Sequence, residues 1–486
     1  MRVGDQRNCS HWAWPRLLPG CSLVIADIDG CCDPSGVDFA RLSESGRRLA
    51  GGVGNQQHSY EYWLGELVAK HSGRGVERSI RPDATIRRAR AVLDIIGVTK
   101  VAELTDLDRV GIPNFITIRP DDLGPGISYY NGKGTTRADA YAGALMEAVE
   151  RHAAERYDGP IVTTSHYNLR HQHACIDPLE IHVPMARRYS EDLLLEWTLG
   201  FDLLTRQPTY VPVNCVVCPY HSFSVTTLFY SSTNGLASGN TRLDALCYAL
   251  CEVIERDTAA LAMTCADVRP AVASILADIG FDGALSPERA DPPLISLRGL
   301  PRPATALVGK LRRAGLEVQL RNLTSATGIP TIDCVISDPH SAVTPNAHGG
   351  CGTHPDARIA LTRALTEAAQ TRLGYIQGGR EDLPDFAPAE GKPPAPTWNR
   401  WGGTISLDDI ASHQHASVNE DVEFILGRMR QSGFDQVVVV DVTRAEVGIP
   451  VVRVVAPRAE AWTFHLMHGG RASLGRRALR QIDPRT

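Results

Sequence analysis

The chain of 486 residues has no uninterrupted apolar run of about eighteen residues, so nothing in it is expected to span a bilayer. Basic residues are not in surplus: 50 Lys and Arg against 55 Asp and Glu leave a net charge of −5. That balance carries no electrostatic footprint for nucleic acid or an anionic membrane. The first residues lack the basic-then-apolar pattern of a secretory signal, because Trp12, Trp14 and Pro15 interrupt it, so a cytoplasmic location is expected. Twelve cysteines in so long a chain make no disulfide framework in a reducing compartment. A structural zinc site is also short of ligands. One CxxC, Cys215 to Cys218, has His171, His173, Cys175 and His221 around it, whereas such sites use two ligand pairs. Its valines read as a buried strand, so buried thiols are expected there.

What the chain does have is one segment repeated three times. Ala144-Leu145-Met146-Glu147-Ala148-Val149-Glu150, Ala249-Leu250-Cys251-Glu252-Val253-Ile254-Glu255 and Ala364-Leu365-Thr366-Glu367-Ala368-Ala369-Gln370 each follow a glycine-rich turn. Those turns run from Gly132 to Thr136, Gly235 to Thr241 and Gly349 to His354. Thr136 with Asp139, and Thr241 with Asp244, read as helix caps; the third copy places Pro355 where a first turn tolerates it. Each segment is therefore expected as a helix presenting two oxygen-bearing side chains on one face. Like charges at this spacing repel, and the trailing Arg151 and Arg256 point to cationic compensation. A solvated acidic face explains one such pair, but not recurrence with the same cap and turn. Hard cations take oxygen ligands and phosphates favour glycine-rich turns at helix starts, so the set reads as the equipment of a nucleotide-dependent enzyme.

A second repeat interleaves with the first. Gly97 leads to Gly111-Ile112-Pro113, Gly315 to Gly328-Ile329-Pro330, and Gly433 to Gly448-Ile449-Pro450. Each is preceded by a helical pattern and followed by a strand-like run, giving helix, glycine stop, strand, turn, strand. The fold class expected is α+β: a single large domain, residues 79–486, with internal pseudo-symmetric repeats and an active site that collects the three acidic helices. Residues 1–78 are expected as an N-terminal extension, with a strand at Leu23 to Ala26 and a short helix from Tyr60 to His71. The proline-rich stretch from Gly378 to Asn399 reads as a long surface loop. His348 and His354 flank the third glycine turn and are acid–base candidates for which a structural role is expected. Cys351 is the one cysteine placed for chemistry, with packing still the expected role; Cys247, Cys251 and Cys334 sit in apolar patterns.

These motifs carry a resemblance. Gly97-Val98-Thr99, Leu107 to Pro113, Arg119-Pro120, Gly132-Lys133-Gly134, the ExxER pairs, Thr233 to Asn240, and Arg363, Glu367, Gln370 and Arg372 together resemble the YcaO family over about residues 79 to 460. The resemblance implies an ATP- and magnesium-dependent enzyme that phosphorylates a peptide backbone amide oxygen and lets a nucleophile replace it. It implies Glu147, Glu150, Glu252 and Glu255 as holders of magnesium. It further implies Asn240, Arg256, Arg363, Glu367 and Gln370 in the ATP pocket, with Lys133 reaching a phosphate. Lys133, Arg256, Arg363 and Glu367 would then carry the catalytic charge stabilisation, which suits phosphoryl transfer better than a nucleophilic triad. One departure is Ala144, where the family often has serine.

The nucleophile decides the product. Azoline-forming members use a substrate side chain and commonly end in a proline-rich tail, whereas this chain ends Arg480-Gln481-Ile482-Asp483-Pro484-Arg485-Thr486. Ile127 to Gly134 and Leu107 to Pro113 look closer to members that install backbone thioamides with a TfuA-type partner. The expectation is thioamide formation on a ribosomally made peptide or protein, with external sulfur and a TfuA-like partner. Azoline or amidine formation is the alternative, and a non-catalytic scaffold is disfavoured by the presence of all four glutamates and Lys133. A homodimer is possible.

Overall fold

The computed structural model describes residues 58–461 apart from 74–75, 121–126, 182–188, 223, 230, 282–289, 341–346 and 380–401. All of them belong to the unit 53–486. The strand expected at Leu23 to Ala26, most of the proline-rich stretch and the C-terminal tail lie outside the described residues.

Three strand–turn–helix units build the framework, and they are the three copies read in the sequence. In the first, β1 (Tyr129–Lys133) leads into α1 (Arg137–Glu155). In the second, β2 (Leu236–Ser238) leads into α2 (Arg242–Met263), and in the third, β3 (Ala347–Thr353) leads into α3 (Ala357–Gln377). Each helix starts on a side-chain cap. Thr136 accepts the Asp139 N–H, Thr241 accepts the Asp244 N–H, and Asp356 accepts the Arg358 N–H. The strand and its helix pack closely because glycine permits it. A Cβ on Gly132 would collide with the Ala140 carbonyl oxygen and the Ala144 nitrogen, and one on Gly352 would collide with the Ala360 carbonyl oxygen.

The second repeat supplies the hairpins beside these units. Lys100–Glu103 and Asn114–Ile118 pair antiparallel with β1 as a three-stranded sheet. Glu317–Asn322 and Thr331–Ser337 pair with β3 in a five-stranded sheet completed by Leu294–Ile295 and Thr404–Ile405. Val438–Asp441 and Val451–Val455 pair with β2 inside a six-stranded sheet. In every sheet the unit's strand is the outermost in the pairing order. The pairing is permuted relative to sequence order: the C-terminal hairpin serves the second helix, and the middle hairpin serves the third. The registers agree, with Asn114 opposite Lys133, Thr331 opposite Thr353 and Val451 opposite Ser238. Gly97, Gly315 and Gly433, which stop the preceding helices, have φ of +76°, +77° and +85°, a region open to glycine.

Core clusters lie under each sheet. α3 packs with the helix Arg302–Arg313 over the five-stranded sheet through Leu361, Leu365, Leu307 and Leu311. α2 packs with the helix Val418–Gln431 through Leu246, Leu250, Val422 and Ile425. Trp63, Leu64 and Val68 join that second cluster, so the described part of the expected N-terminal extension packs into the body. There the short helix spans Tyr60–Leu64, less than the stretch to His71 expected from the sequence.

α2 continues through a π-helical turn into the helix Arg269–Asp278. By length and composition the stretch Arg242–Asp278, with an 18-residue window of mean hydropathy 1.4, is apolar enough to cross a membrane, which a count of uninterrupted apolar residues did not register. Its first part is a core helix that also carries Glu252, Glu255 and Arg256.

Candidate active site

One face of each of α1, α2 and α3, with the ends of β1 and β2, surrounds a cleft of about 280 Å³. The shared cap geometry sets what enters it. Eleven residues past Thr136, Thr241 and Asp356 stand Glu147, Glu252 and Glu367, and three further on stand Glu150, Glu255 and Gln370. The cleft is lined by Lys133, Glu147, Glu150, Asn240, Glu252, Arg363 and Gln370 among the residues expected from the sequence. Glu255, Arg256 and Glu367 are not in its lining but adjoin it electrostatically: Glu367 acts on Glu252, and Arg256 on both glutamates of α2.

The carboxylates repel one another. Burial first, then the Glu147 and Glu252 carboxylates, push the Glu150 carboxyl up to about 8. Arg151 and the Ser238 backbone N–H, which Glu150 accepts at 2.9 Å, pull the other way. Burial also raises Glu252, against Arg256 at 3.7 Å. Glu255 is pushed up to about 7 by burial and then by Glu367, and its Oε2 is buried without a hydrogen-bond partner among the described residues. Burial alone would raise Glu367 too, but Lys133 and then Arg256 outweigh it and hold this carboxyl below its usual range. Crowded, desolvated oxygen donors, raised on Glu150, Glu252 and Glu255 in spite of neighbouring arginines, form a set that fits a divalent metal ion, which would relieve the repulsion.

The cations are held by neighbours. Lys133, at the end of β1, pairs directly with Glu367 of α3. Gln370 donates from Nε2 to the Asn131 carbonyl at 2.8 Å, so α3 grips β1 at two points one helical turn apart. The main-chain carbonyl of Asn240 accepts Arg88 Nη1 at 2.7 Å, which fixes the turn before α2. Arg363 has a buried Nε without a hydrogen-bond partner among the described residues.

Three cleft features escaped the sequence reading. Arg78, within the expected extension, lines the cleft, and nothing in the sequence around it signals a role. Tyr248 also lines it, and aligning the three caps would have found it, since it stands at the same helical position as Arg363. The Ser238 N–H on Glu150 is a backbone contact invisible to composition.

The remaining candidates sit elsewhere. His354 is buried, its Nδ1 accepts the Asp356 N–H at 3.0 Å, and burial, then Lys70 and Arg363, push it down to about 3. His348 is buried against Tyr375. Neither histidine lines the cleft. Burial and then the Glu255 and Asp333 carboxylates raise the Cys351 thiol well above its ordinary value, which opposes a thiolate role. Cys215 is buried and pushed up to about 12. Cys247, His354 and Asp421 bring ligand-type atoms within 4.8 Å of one another. Charge opposes a cation there: the Lys70 ammonium lies 2.6 Å from Asp421. Because His354 Nδ1 accepts a backbone N–H, a neutral ring carries its proton on Nε2, the nitrogen that faces Asp421 at 3.8 Å.

Known proteins resemble this chain in sequence and fold. A family model described as YcaO cyclodehydratase, ATP- and Mg2+-binding, matches residues 131–460. A protein of Methanothermobacter thermautotrophicus is 37% identical over 409 residues, 81% of this chain and 98% of that one. A Rhizobium leguminosarum bv. trifolii protein described as lying in the tfuA 3′ region is 29% identical over 437 residues, 85% of this chain and 96% of that one. Among solved structures, the Methanopyrus kandleri YcaO bound with AMPPCP and Mg2+ superposes with a TM-score of 0.64 at 27% identity. That match covers 84% of this chain and 99% of the other.

Proposed function

This chain belongs to the YcaO family, and we propose that it activates a backbone amide of a ribosomally made peptide or protein and converts it to a thioamide. The single observation that carries the ATP- and Mg2+-dependent activation is the crowding of Glu147, Glu150 and Glu252 along a cleft that also receives Lys133 and Arg363. ATP with Mg2+ supplies the phosphoryl group that turns the amide oxygen into a leaving group. Glu147, Glu150, Glu252 and Glu255 are the residues that would hold the metal, and Asn240, Arg256, Arg363, Glu367 and Gln370 would complete the nucleotide site. Lys133, oriented by Glu367, and Arg256 and Arg363 offset charge on the phosphates, the main task of a protein in phosphoryl transfer.

The sulfur route draws its support from the tfuA 3′ region relative, which aligns over 85% of this chain. It calls for a TfuA-like partner and a sulfur donor. The family description as a cyclodehydratase favours azoline formation as the second reading. Intact mass separates the two, because all routes lose the same oxygen. Sulfur in its place adds about 16 Da, loss of water removes about 18 Da, and replacement by ammonia removes about 1 Da. The protein, peptide, ATP, Mg2+, a sulfide source and a TfuA-like partner are expected to give the gain. Loss of water without sulfide would overturn the thioamide reading and leave the ATP chemistry standing.

A further inference from the structure

Seven residues past the three helix caps stand Gly143, Tyr248 and Arg363, and all three line the cleft. Equivalent positions in the three units are thus filled by no side chain, an aromatic ring and a guanidinium. The ring is shared. The Arg363 guanidinium carbon lies 5.3 Å from the Tyr248 centroid, and that of Arg78, another cleft residue, lies 4.1 Å from it. The Glu255 and Glu367 carboxylates already act on Arg363, and further anionic charge would offset the repulsion between the two guanidiniums. Arg363 also has a buried Nε without a hydrogen-bond partner among the described residues. Glu147, Glu150 and Glu252 line the same cleft, with Glu252 one helical turn beyond Tyr248 on α2.

We infer that Tyr248 is a positioning residue that holds Arg78 and Arg363 as a paired clamp for the nucleotide's outer phosphates, an inference resting on the nucleotide-dependent reading above. The ring does this as a neutral phenol. Burial pushes its hydroxyl up to about 12 against the pull of Arg78 and Arg363, so the attraction is that of cations for a π face and needs no phenolate. The carboxylates take the metal while the two guanidiniums contact phosphate oxygens directly, the geometry to which a planar fork of donors is suited. Arg78 thereby brings the segment before residue 79 into the site. Arg78 ends the short strand Val76–Arg78, and Ser79 is tied to α2 by its backbone N–H on Asp244 at 3.2 Å.

Calorimetry with Mg·AMPPCP and with AMP tests the clamp, since only the first carries outer phosphates. Tyr248→Leu and Arg78→Gln are expected to weaken Mg·AMPPCP about tenfold while leaving AMP nearly unchanged. Tyr248→Phe, which keeps the ring, is expected to match the parent protein. Unchanged Mg·AMPPCP affinity in folded Tyr248→Leu overturns the inference, as does an equal loss for AMP or a failure of Tyr248→Phe to preserve binding. If Tyr248→Leu does not fold, Arg78→Gln decides: unaltered discrimination between the two nucleotides overturns the clamp. A parent protein that binds neither nucleotide overturns the underlying reading as well, whereas binding with unaltered variants removes the clamp alone.

Discussion

Lys133 on β1 and Glu367 on α3 form an ion pair that joins the three-stranded sheet to the third helix beside the cleft. The lysine comes from the edge of the three-stranded sheet, and the glutamate from the helix that follows the five-stranded sheet. Glu367 also accepts the Cys351 N–H at 3.5 Å, so one carboxylate ties three segments together. Because Glu255 stands beside it, removing Lys133 would leave two neighbouring carboxylates with less compensation.

Lys133→Met is therefore expected to destabilise the free protein by about 1–2 kcal/mol, and Lys133→Met/Glu367→Gln to recover most of that loss. Nucleotide binding is expected to stay impaired in both. Urea denaturation combined with calorimetry checks this, and a double variant that regains full affinity would show the pair to be structural only.

Metal dependence follows from charge. ATP and the Glu147, Glu150 and Glu252 carboxylates repel unless divalent ions lie between them. ATP with Mg2+ is expected to bind about 5–150-fold more tightly than ATP with EDTA. Glu147→Gln/Glu252→Gln is expected to lose that difference. Equal affinity in all three titrations would remove the carboxylate–metal assignment.

Arg256 lies 3.7 Å from Glu252, and Arg363 shares the Tyr248 ring. Arg256→Lys and Arg363→Lys keep the charge and lose the planar fork. Both are expected to fold with little change in Tm and to lower peptide-dependent ATP hydrolysis about 100- to 1000-fold. Unfolding with preserved activity per folded molecule would instead make them partners of the glutamates.

The repeats made much of this site legible. Capping threonines and glycine turns are local signals, so the three helices and their glutamate faces could be read before any tertiary contact was known. The pairing of hairpins with helices could not. Val451 sits opposite Ser238 although more than two hundred residues separate them, while sequence order would give the middle hairpin to α2. Strand pairing of that range depends on global packing, to which local pattern is blind. Arg78 was missed for the same reason: its role comes from lying over Tyr248, a contact no periodicity encodes. His354, an acid–base candidate for which a structural role was expected, has a ring that serves the cap of α3.

That buried ring gives a pH signature. His354 is pushed down to about 3 in the folded protein, by burial first and then by Lys70 and Arg363, while an unfolded histidine titrates near 6.5. Asp356, His415 and Asp421 also face it, the last at 3.8 Å. As pH falls through about 6.5 the unfolded chain takes up this proton and the folded chain does not, so stability falls with pH. The loss continues towards the folded value, with a limiting slope of about 1.4 kcal/mol per pH unit. His354→Gln keeps an acceptor in the side chain without a titrating group. Its denaturation free energy is expected to decline less steeply than that of the parent protein between pH 6.5 and 4.5. Groups that do not face His354 contribute equally to both curves, so their titration cancels in the difference. Parallel curves over that interval would mean that His354 takes up its proton in the folded state as readily as in the unfolded one.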